Sequence, residues 1–268
     1  MTEPDWSPSG IVTLTTDFGL DDPYVGCMKG VILSILRSAV VVDITHGVRA
    51  QDVRAGSFFL SAGCRWFPAG TVHVAVVDPT VGSARRILVA HHAGHAFLAP
   101  DNGLLPAALG SEARYVELDA ERFTLGVASH TFHGRDVLAP AAAAMASGLP
   151  PEALASRAVP DPVRLPEARA RASADGRTVE ADVLVVDRFG NAVLHLVPGE
   201  LSGTLDEWFL DHDGARIGFA RTYALVDPGE ALLLVDSYGA VEIAVRDGHA
   251  ASRLGLSPGD RVTLRRQA

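Results

Sequence analysis

The sequence predicts an α/β N-terminal domain with a mostly parallel sheet flanked by helices, followed by a smaller C-terminal antiparallel β-barrel domain. Three observations predict it. From Ile11 to about Ala146, short β-branched runs alternate with helix-period runs, the pattern of a sheet covered on both faces. Prolines 150, 151, 160, 162 and 166 then punctuate the chain, ahead of a polar stretch at 169–176. After Val179 strand follows strand, separated by Gly and Pro, with no long helical pattern. The boundary is placed at residues 1–170 and 171–268. For 268 residues, two domains agree with a prior of roughly 150 residues each.

The elements follow in order. Ile11-Val-Thr-Leu-Thr-Thr16 is a short buried strand. Asp22-Pro23 offers an N-cap and a first-turn proline, and Val25, Met28, Val31, Ile32, Ile35 and Leu36 recur at helical spacing. Val40–Ile44 is a second strand. Asp52 caps a helix that runs to Phe67 and stops at Pro68-Ala-Gly70. Thr71–Val77 is a third strand, and Ile87–His91 with His95–Ala99 form a hairpin about Ala93-Gly94. Ala139–Ala146 is an alanine-rich helix. Beyond the linker, strands are expected at Val183–Val186, Ala192–Leu196, Ala231–Val235 and Val241–Val245.

Composition excludes several classes. A chain that is 48% apolar and 21% charged is neither disordered nor fibrous. No apolar run reaches the about eighteen residues needed to span a membrane. The acidic opening Met-Thr-Glu-Pro-Asp-Trp lacks an apolar stretch, so no secretory signal is expected. A net charge of −9 argues against nucleic acid, whose binding needs a basic face, and suits a cationic small ligand. Cys27 and Cys64 have no metal spacing; Cys27 reads as a core residue, and a cytoplasmic protein is expected. Lys29 is the only lysine, which reads as a GC-rich genome rather than as function.

Some motifs mislead. Asp17-Phe18-Gly19 and His133-Gly134-Arg135-Asp136 imitate kinase fragments, but no phosphate loop precedes them and their order is wrong. No dinucleotide or P-loop glycine motif occurs. His91, His92 and His95 sit on a hairpin that sends neighbours to opposite faces, with no carboxylate or cysteine cluster beside them, so no metal is expected.

Chemistry gathers in four places. Asp17 ends the first strand, where an α/β sheet binds ligands, and a carboxylate there can accept from both hydroxyls of a ribose. Asp78-Pro-Thr-Val-Gly-Ser-Ala-Arg85 is a strand-end loop able to fold a guanidinium onto a carboxylate; Arg86 competes with Arg85, and spacing does not choose. Thr131-Phe-His-Gly-Arg-Asp136 places His133 between an aromatic and a glycine, just before a helix. In the β-domain, Asp187-Arg-Phe-Gly-Asn191 offers Phe189 to stack on a base, and Asn191 has a donor and an acceptor for an adenine edge; an ordinary hairpin turn reads equally from the residues. Half-sites on two domains imply a ligand held between domains, within one chain or across subunits.

Together these segments resemble one family, the S-adenosyl-L-methionine (SAM) hydroxide adenosyltransferases, or SAM hydrolases, homologous to the SAM-dependent fluorinase and chlorinase. The matching stretches are Thr15-Thr-Asp-Phe-Gly19, Tyr24-Val-Gly-Cys-Met-Lys-Gly30, Val42-Asp-Ile-Thr-His46, Gln51-Asp-Val-Arg-Ala-Gly56, Val76-Val-Asp-Pro79, Asp101-Asn-Gly-Leu-Leu105, Thr131-Phe-His-Gly-Arg-Asp136 and Asp187-Arg-Phe-Gly-Asn191. Each is weak alone; their order from about Ile11 to Val262 is specific. The resemblance implies hydrolysis of SAM to adenosine and L-methionine. It also implies a homotrimer whose sites lie between the N-domain of one subunit and the C-domain of the next, and no cofactor.

Position by position, the resemblance gives Asp17 the ribose hydroxyls, and Asp78, Arg85 and His133 the attacking water. It gives Phe189, Asn191 and Tyr223 the adenine, Asp187 the methionine ammonium and Ser237 the methionine carboxylate. Fluorinase-like members have tyrosine in place of Asp78, serine in place of Gly134, and a long insertion at the short His92–His95 turn; all three departures favour water over halide. Thr80 stands where family hydrolases usually have glycine, and Tyr238 where the halogenases have arginine. The alternatives are a SAM-dependent chloride transferase making 5′-chloro-5′-deoxyadenosine and a non-catalytic SAM- or adenosine-binding protein.

Overall fold

The computed structural model describes residues 6–110, 112–126, 129–166 and 170–267. Trp6 apart, the opening segment read for a leader lies outside these residues, as do positions 167–169 beside the linker. The chain divides into two compact units, Met1–Leu165 and Pro166–Ala268.

The first unit is built on a seven-stranded mixed sheet of β1 (Ile11–Thr16), β2 (Val40–Thr45), β3 (Val72–Val76), β4 (Ile87–His92), β5 (His95–Pro100), β6 (Arg114–Leu118) and β7 (Ala155–Ala158). Their order is β2-β1-β3-β5-β4-β6-β7. The first four of these strands are parallel; β4, β6 and β7 extend the sheet by antiparallel pairing. The helices are α1 (Tyr24–Ile35), α2 (Val53–Cys64), α3 (Leu104–Leu109), α4 (Ala120–Phe123) and α5 (Ala139–Ala146). Val12, Leu14, Val74 and Val76 share a core with α1 and α5. Val77, one residue on, meets Gly56 of α2, so α2 covers the opposite face.

Local chemistry explains most boundaries. Asp52 caps α2 by accepting from the Ala55 amide at 3.0 Å. The β4–β5 turn has both Ala93 (φ 51°) and Gly94 (φ 79°) in the left-handed region, which the two-residue hairpin needs. Asp22 does not cap α1: Pro23 occupies the cap position, and no side chain bonds the first turn. The helix is held instead by burying Val25, Met28 and Ile32.

In the second unit the strands are β8 (Arg171–Ala172), β9 (Thr178–Val186), β10 (Ala192–Leu194), β11 (Trp208–His212), β12 (Ala215–Gly218), β13 (Ala231–Val235), β14 (Val241–Val245) and β15 (Arg261–Arg266), with a short α6 (Ala250–Leu254). Every ladder is antiparallel, in the order β12-β11-β15-β9-β10-β14-β13. A bridge between Phe219 and Leu233, with Ala220 N–H donating to Leu233 O at 2.8 Å, joins the two ends and makes the sheet nearly a barrel. Trp208, Leu210, Ile243 and Leu264 fill it.

Candidate active site

Strand order sets the first half-site. The chain passes from β1 to β2 on one side and returns to β3 on the other, so β1 and β3 are neighbours at a switch point. Thr16 pairs with Val76 in register, so Asp17 and Asp78 leave the sheet at the same end. Asp17 Oδ2 accepts from the Gln51 amide at 2.8 Å, and Gln51 sits at φ 66° to deliver that bond. Behind Asp17, Thr16 Oγ1 meets His46 Nδ1 at 2.8 Å, His46 Nε2 lies 3.0 Å from Asp43, and Asp43 accepts from Lys29 at 2.7 Å. Burial would raise the Asp43 pKa, but the bonds from Lys29 and His46 outweigh it and hold it below the usual carboxylate value.

The loop after β3 resolves the choice of arginine. Arg85 Nε donates to Asp78 Oδ2 at 2.7 Å, and Arg85 Nη2 bonds the same oxygen. Arg86 turns away to Asp101 (2.6 Å) and Asp161 (3.3 Å). Thr80 donates to Asp78 Oδ1 through its amide and hydroxyl, each at 3.3 Å. The loop needs glycine at position 82, because Gly82 at φ 81° lies against the His130 carbonyl, where a Cβ would come within 2.3 Å.

His133 completes the group: Arg85 Nη2 lies 3.1 Å from its Nδ1. A guanidinium has no acceptor, so Nδ1 must accept and the proton of the neutral ring sits on Nε2. Burial first, and then the Arg85 charge, lower the His133 pKa below the ordinary histidine value, which favours that neutral ring. The histidine enters a wide turn at Gly134–Leu138, where the Ala139 amide reaches Gly134 O. Pro140 accounts for this turn, because it has no N–H for the Asp136 carbonyl four residues back. That carbonyl accepts from Leu125 N at 2.8 Å instead. The side chains of Asp78 and Arg85 are 6% and 7% exposed, so water screens the pair little.

The smaller unit carries a second polar group. Asp187 Oδ1 accepts from the amides of Phe189 (2.9 Å) and Asn191 (2.8 Å), closing the turn. Gly190 at φ 87° packs on the His249 ring, and Phe189 is left 76% exposed. Asn191 Nδ2 donates to Asp187 Oδ2 at 3.1 Å and to Tyr223 Oη at 3.4 Å; Tyr223 donates to Glu242 Oε1 at 2.8 Å. Ser237 and Tyr238 stand exposed on the Asp236–Gly239 turn between β13 and β14. The structure thus groups Asp78, Arg85 and His133 in one unit, near the strand end that carries Asp17, and Asp187, Asn191 and Tyr223 in the other. A cavity of about 980 Å³ in this unit, lined by Leu201, Leu205, Phe219 and Val235 among others, contains none of the predicted residues. Among the described residues no group of three or more His, Cys, Asp or Glu is arranged to hold a metal ion.

Glu242 was missed by the sequence reading. It is 4% exposed on β14, and burial first, then Asp187 and Asp236, push its pKa up to about 7. The folded state therefore holds this proton more tightly than the unfolded chain does. The stability it gives is full below about pH 4.5 and is lost as pH rises through about 7. His73, pushed down to about 3 by burial, acts in the opposite sense, costing stability as pH falls below 6.5, so the difference between two proteins is the clean measure. Glu242→Gln should gain on the native protein by about 3 kcal/mol between pH 5 and pH 8 in urea unfolding. A constant difference across that range would refute the buried ionisation.

An α/β unit with a carboxylate–guanidinium–imidazole group at its switch point, followed by a β-barrel unit with an Asp/Asn/Tyr cluster, defines a class of two-unit α/β-plus-barrel proteins. Comparison with known proteins places the chain within it. A family model for the SAM hydroxide adenosyltransferase N-terminal domain matches residues 12–155, and one for the SAM hydroxide adenosyltransferase C-terminal domain matches residues 181–263. The chain belongs to the SAM hydroxide adenosyltransferase family. It is 40% identical over 262 residues to an (R)-S-adenosyl-L-methionine hydrolase of Salinispora tropica, covering 96% of this chain and 98% of that protein. A Thermus thermophilus (R)-S-adenosyl-L-methionine hydrolase is 38% identical over 263 residues, covering 94% and 98%. A crystal structure from Thermotoga maritima, described as an uncharacterized conserved protein, superposes with a TM-score of 0.86 at 33% identity, covering 96% of this chain and all of that one.

Proposed function

We propose that this protein is an enzyme that hydrolyses S-adenosyl-L-methionine to adenosine and L-methionine, by attack of water on C5′ of the ribose. The observation that carries the reading is Arg85, which bonds Asp78 and His133 at once. Names of relatives across almost the whole chain support the substrate. In the mechanism, Arg85 occupies His133 Nδ1, so the imidazole is a donor through Nε2 and helps to orient the water. The proton passes to the Asp78 carboxylate, which Thr80 and Arg85 hold in place.

The leaving group is a neutral thioether and needs no acid. Positive charge at sulfur vanishes during attack, so a water-poor site favours the transition state over the cationic ground state. Nothing in this displacement calls for a metal or cofactor. Asp17 holds the ribose hydroxyls. Phe189, Asn191 and Tyr223 hold adenine; Asp187 and Ser237 take the methionine ammonium and carboxylate. The working form is a homotrimer in the bacterial cytoplasm, which joins the two kinds of half-site between subunits.

Asp78 also favours water over chloride, since an anionic nucleophile gains nothing from a carboxylate beside it. Turnover in oxygen-18 water will place the label in adenosine and leave methionine unlabelled. Label in methionine, or 5′-chloro-5′-deoxyadenosine formed from added chloride, would overturn the reading.

A further inference from the structure

We propose that Glu242 and Tyr223 are positioning residues that make Asn191 an acceptor-only reader, selecting a 6-amino purine over a 6-oxo purine. This rests on the proposed recognition of the adenosyl group by this half-site.

With Glu242 ionised, above about pH 7, the chain of bonds has only one direction. Asp187 Oδ2, 3.1 Å from the Asn191 amide, is a carboxylate oxygen and can only accept, so the amide nitrogen must face it. Tyr223 gives its single hydrogen to Glu242 Oε1 at 2.8 Å, which leaves the phenol oxygen to accept the second Asn191 hydrogen. Both hydrogens of Nδ2 are then engaged. Asn191 Oδ1 has no hydrogen-bond partner among the described residues. An isolated asparagine could serve either kind of purine edge by flipping its amide. Here the flip would set Oδ1 against Asp187 and would set Nδ2 free, so it is disfavoured twice.

The consequence is a polarity. A ligand that presents an exocyclic amino group donates to Oδ1. A ligand that presents an oxo group meets a lone pair, at a residue that is only 5% exposed. Sites built around one buried hydrogen bond reject the mismatched analogue strongly. Glu242 never touches the base. Its part is to claim the phenol hydrogen, which would otherwise point at Asn191 and oppose the amide.

The test is the affinity of the full chain for adenosine and for inosine, measured by titration calorimetry at pH 8.5, where Glu242 is ionised, in the native protein, Tyr223→Phe and Glu242→Gln. The native protein should bind adenosine at least about a hundredfold more tightly than inosine. Tyr223→Phe releases one amide hydrogen. Glu242→Gln supplies a donor that competes for the phenol oxygen. Each should reduce the ratio about tenfold or more, chiefly by improving inosine. A merely structural defect would weaken both nucleosides together and leave the ratio where it was.

An unchanged ratio in two folded variants overturns the proposal, as does a native protein that binds both nucleosides alike or neither. Failure of the hydrolytic reading is separate: it would show as no adenosine released from SAM by a protein that still discriminates the two nucleosides.

Discussion

Asp78→Asn will lower kcat for adenosine release by about a thousandfold, while KM for SAM stays within a few-fold. The argument is one of accessible lone pairs. His133 Nδ1 is already bonded by Arg85, whereas Asp78 Oδ1 is met only by the two long 3.3 Å donations from Thr80, which can yield to a water that passes its proton to this oxygen. General-base assistance is worth about 10² to 10⁴ in rate, and removing it without changing side-chain volume should cost that factor in kcat. Substrate affinity should survive, because the proposed adenosyl and methionine contacts come from other residues.

His133→Gln offers the comparison. Its amide can still donate to the water and accept from Arg85, so the loss should be closer to tenfold. If the two losses come out reversed, the proton goes to the imidazole and the tautomer argument is wrong. Turnover by Asp78→Asn within a few-fold of native would remove Asp78 from the chemistry.

Much of this cluster was legible in the sequence because strand ends are legible. Thr15-Thr-Asp17 and Val76-Val-Asp78 each leave a β-branched run with a carboxylate, and the alternation of strands and helices put both at one end of a sheet. Spacing alone did not make the choice between Arg85 and Arg86 legible. It depends on where the loop enters β4: Arg86 lies beside the first strand residue and is carried to Asp101, while Arg85 remains on the loop.

The wide turn at Gly134–Leu138 was equally hidden, although Pro140 was the clue. A proline one turn into a helix leaves a carbonyl without a partner, and the backbone answers by widening. α3, Leu104-Leu-Pro-Ala-Ala-Leu109, is too short to show a period. Glu242 is masked by strand alternation. In Val-Glu-Ile-Ala-Val a charged residue is expected to face water, but every residue of β14 is buried, and Tyr223, which satisfies this carboxylate, comes from a distant segment. A carboxylate inside an otherwise apolar strand should prompt a search for its donor.

Arg85→Ala should damage both stability and rate, and the two losses should separate under rescue. Asp78 is 6% exposed and receives two of its bonds from this guanidinium. Without Arg85 it keeps only the two 3.3 Å donations from Thr80. An uncompensated buried carboxylate costs about 3–5 kcal/mol, which should appear as a lower urea midpoint at pH 7.5. The rate loss should be at least a hundredfold, because the water loses its fixed neighbours and His133 becomes free to change tautomer.

Free guanidinium ion, added below denaturing concentration, should refill the vacated volume and restore part of kcat. Methylammonium of equal charge should restore less, since it lacks the planar fork that reaches Asp78 and His133 together. Arg85→Lys isolates the same point within the chain: it should recover much of the stability through its charge but little of the rate, because one ammonium cannot hold both partners in the geometry seen here. Should Arg85→Lys turn over SAM at near the native rate, charge alone suffices, and the bridging guanidinium would have no place in the mechanism.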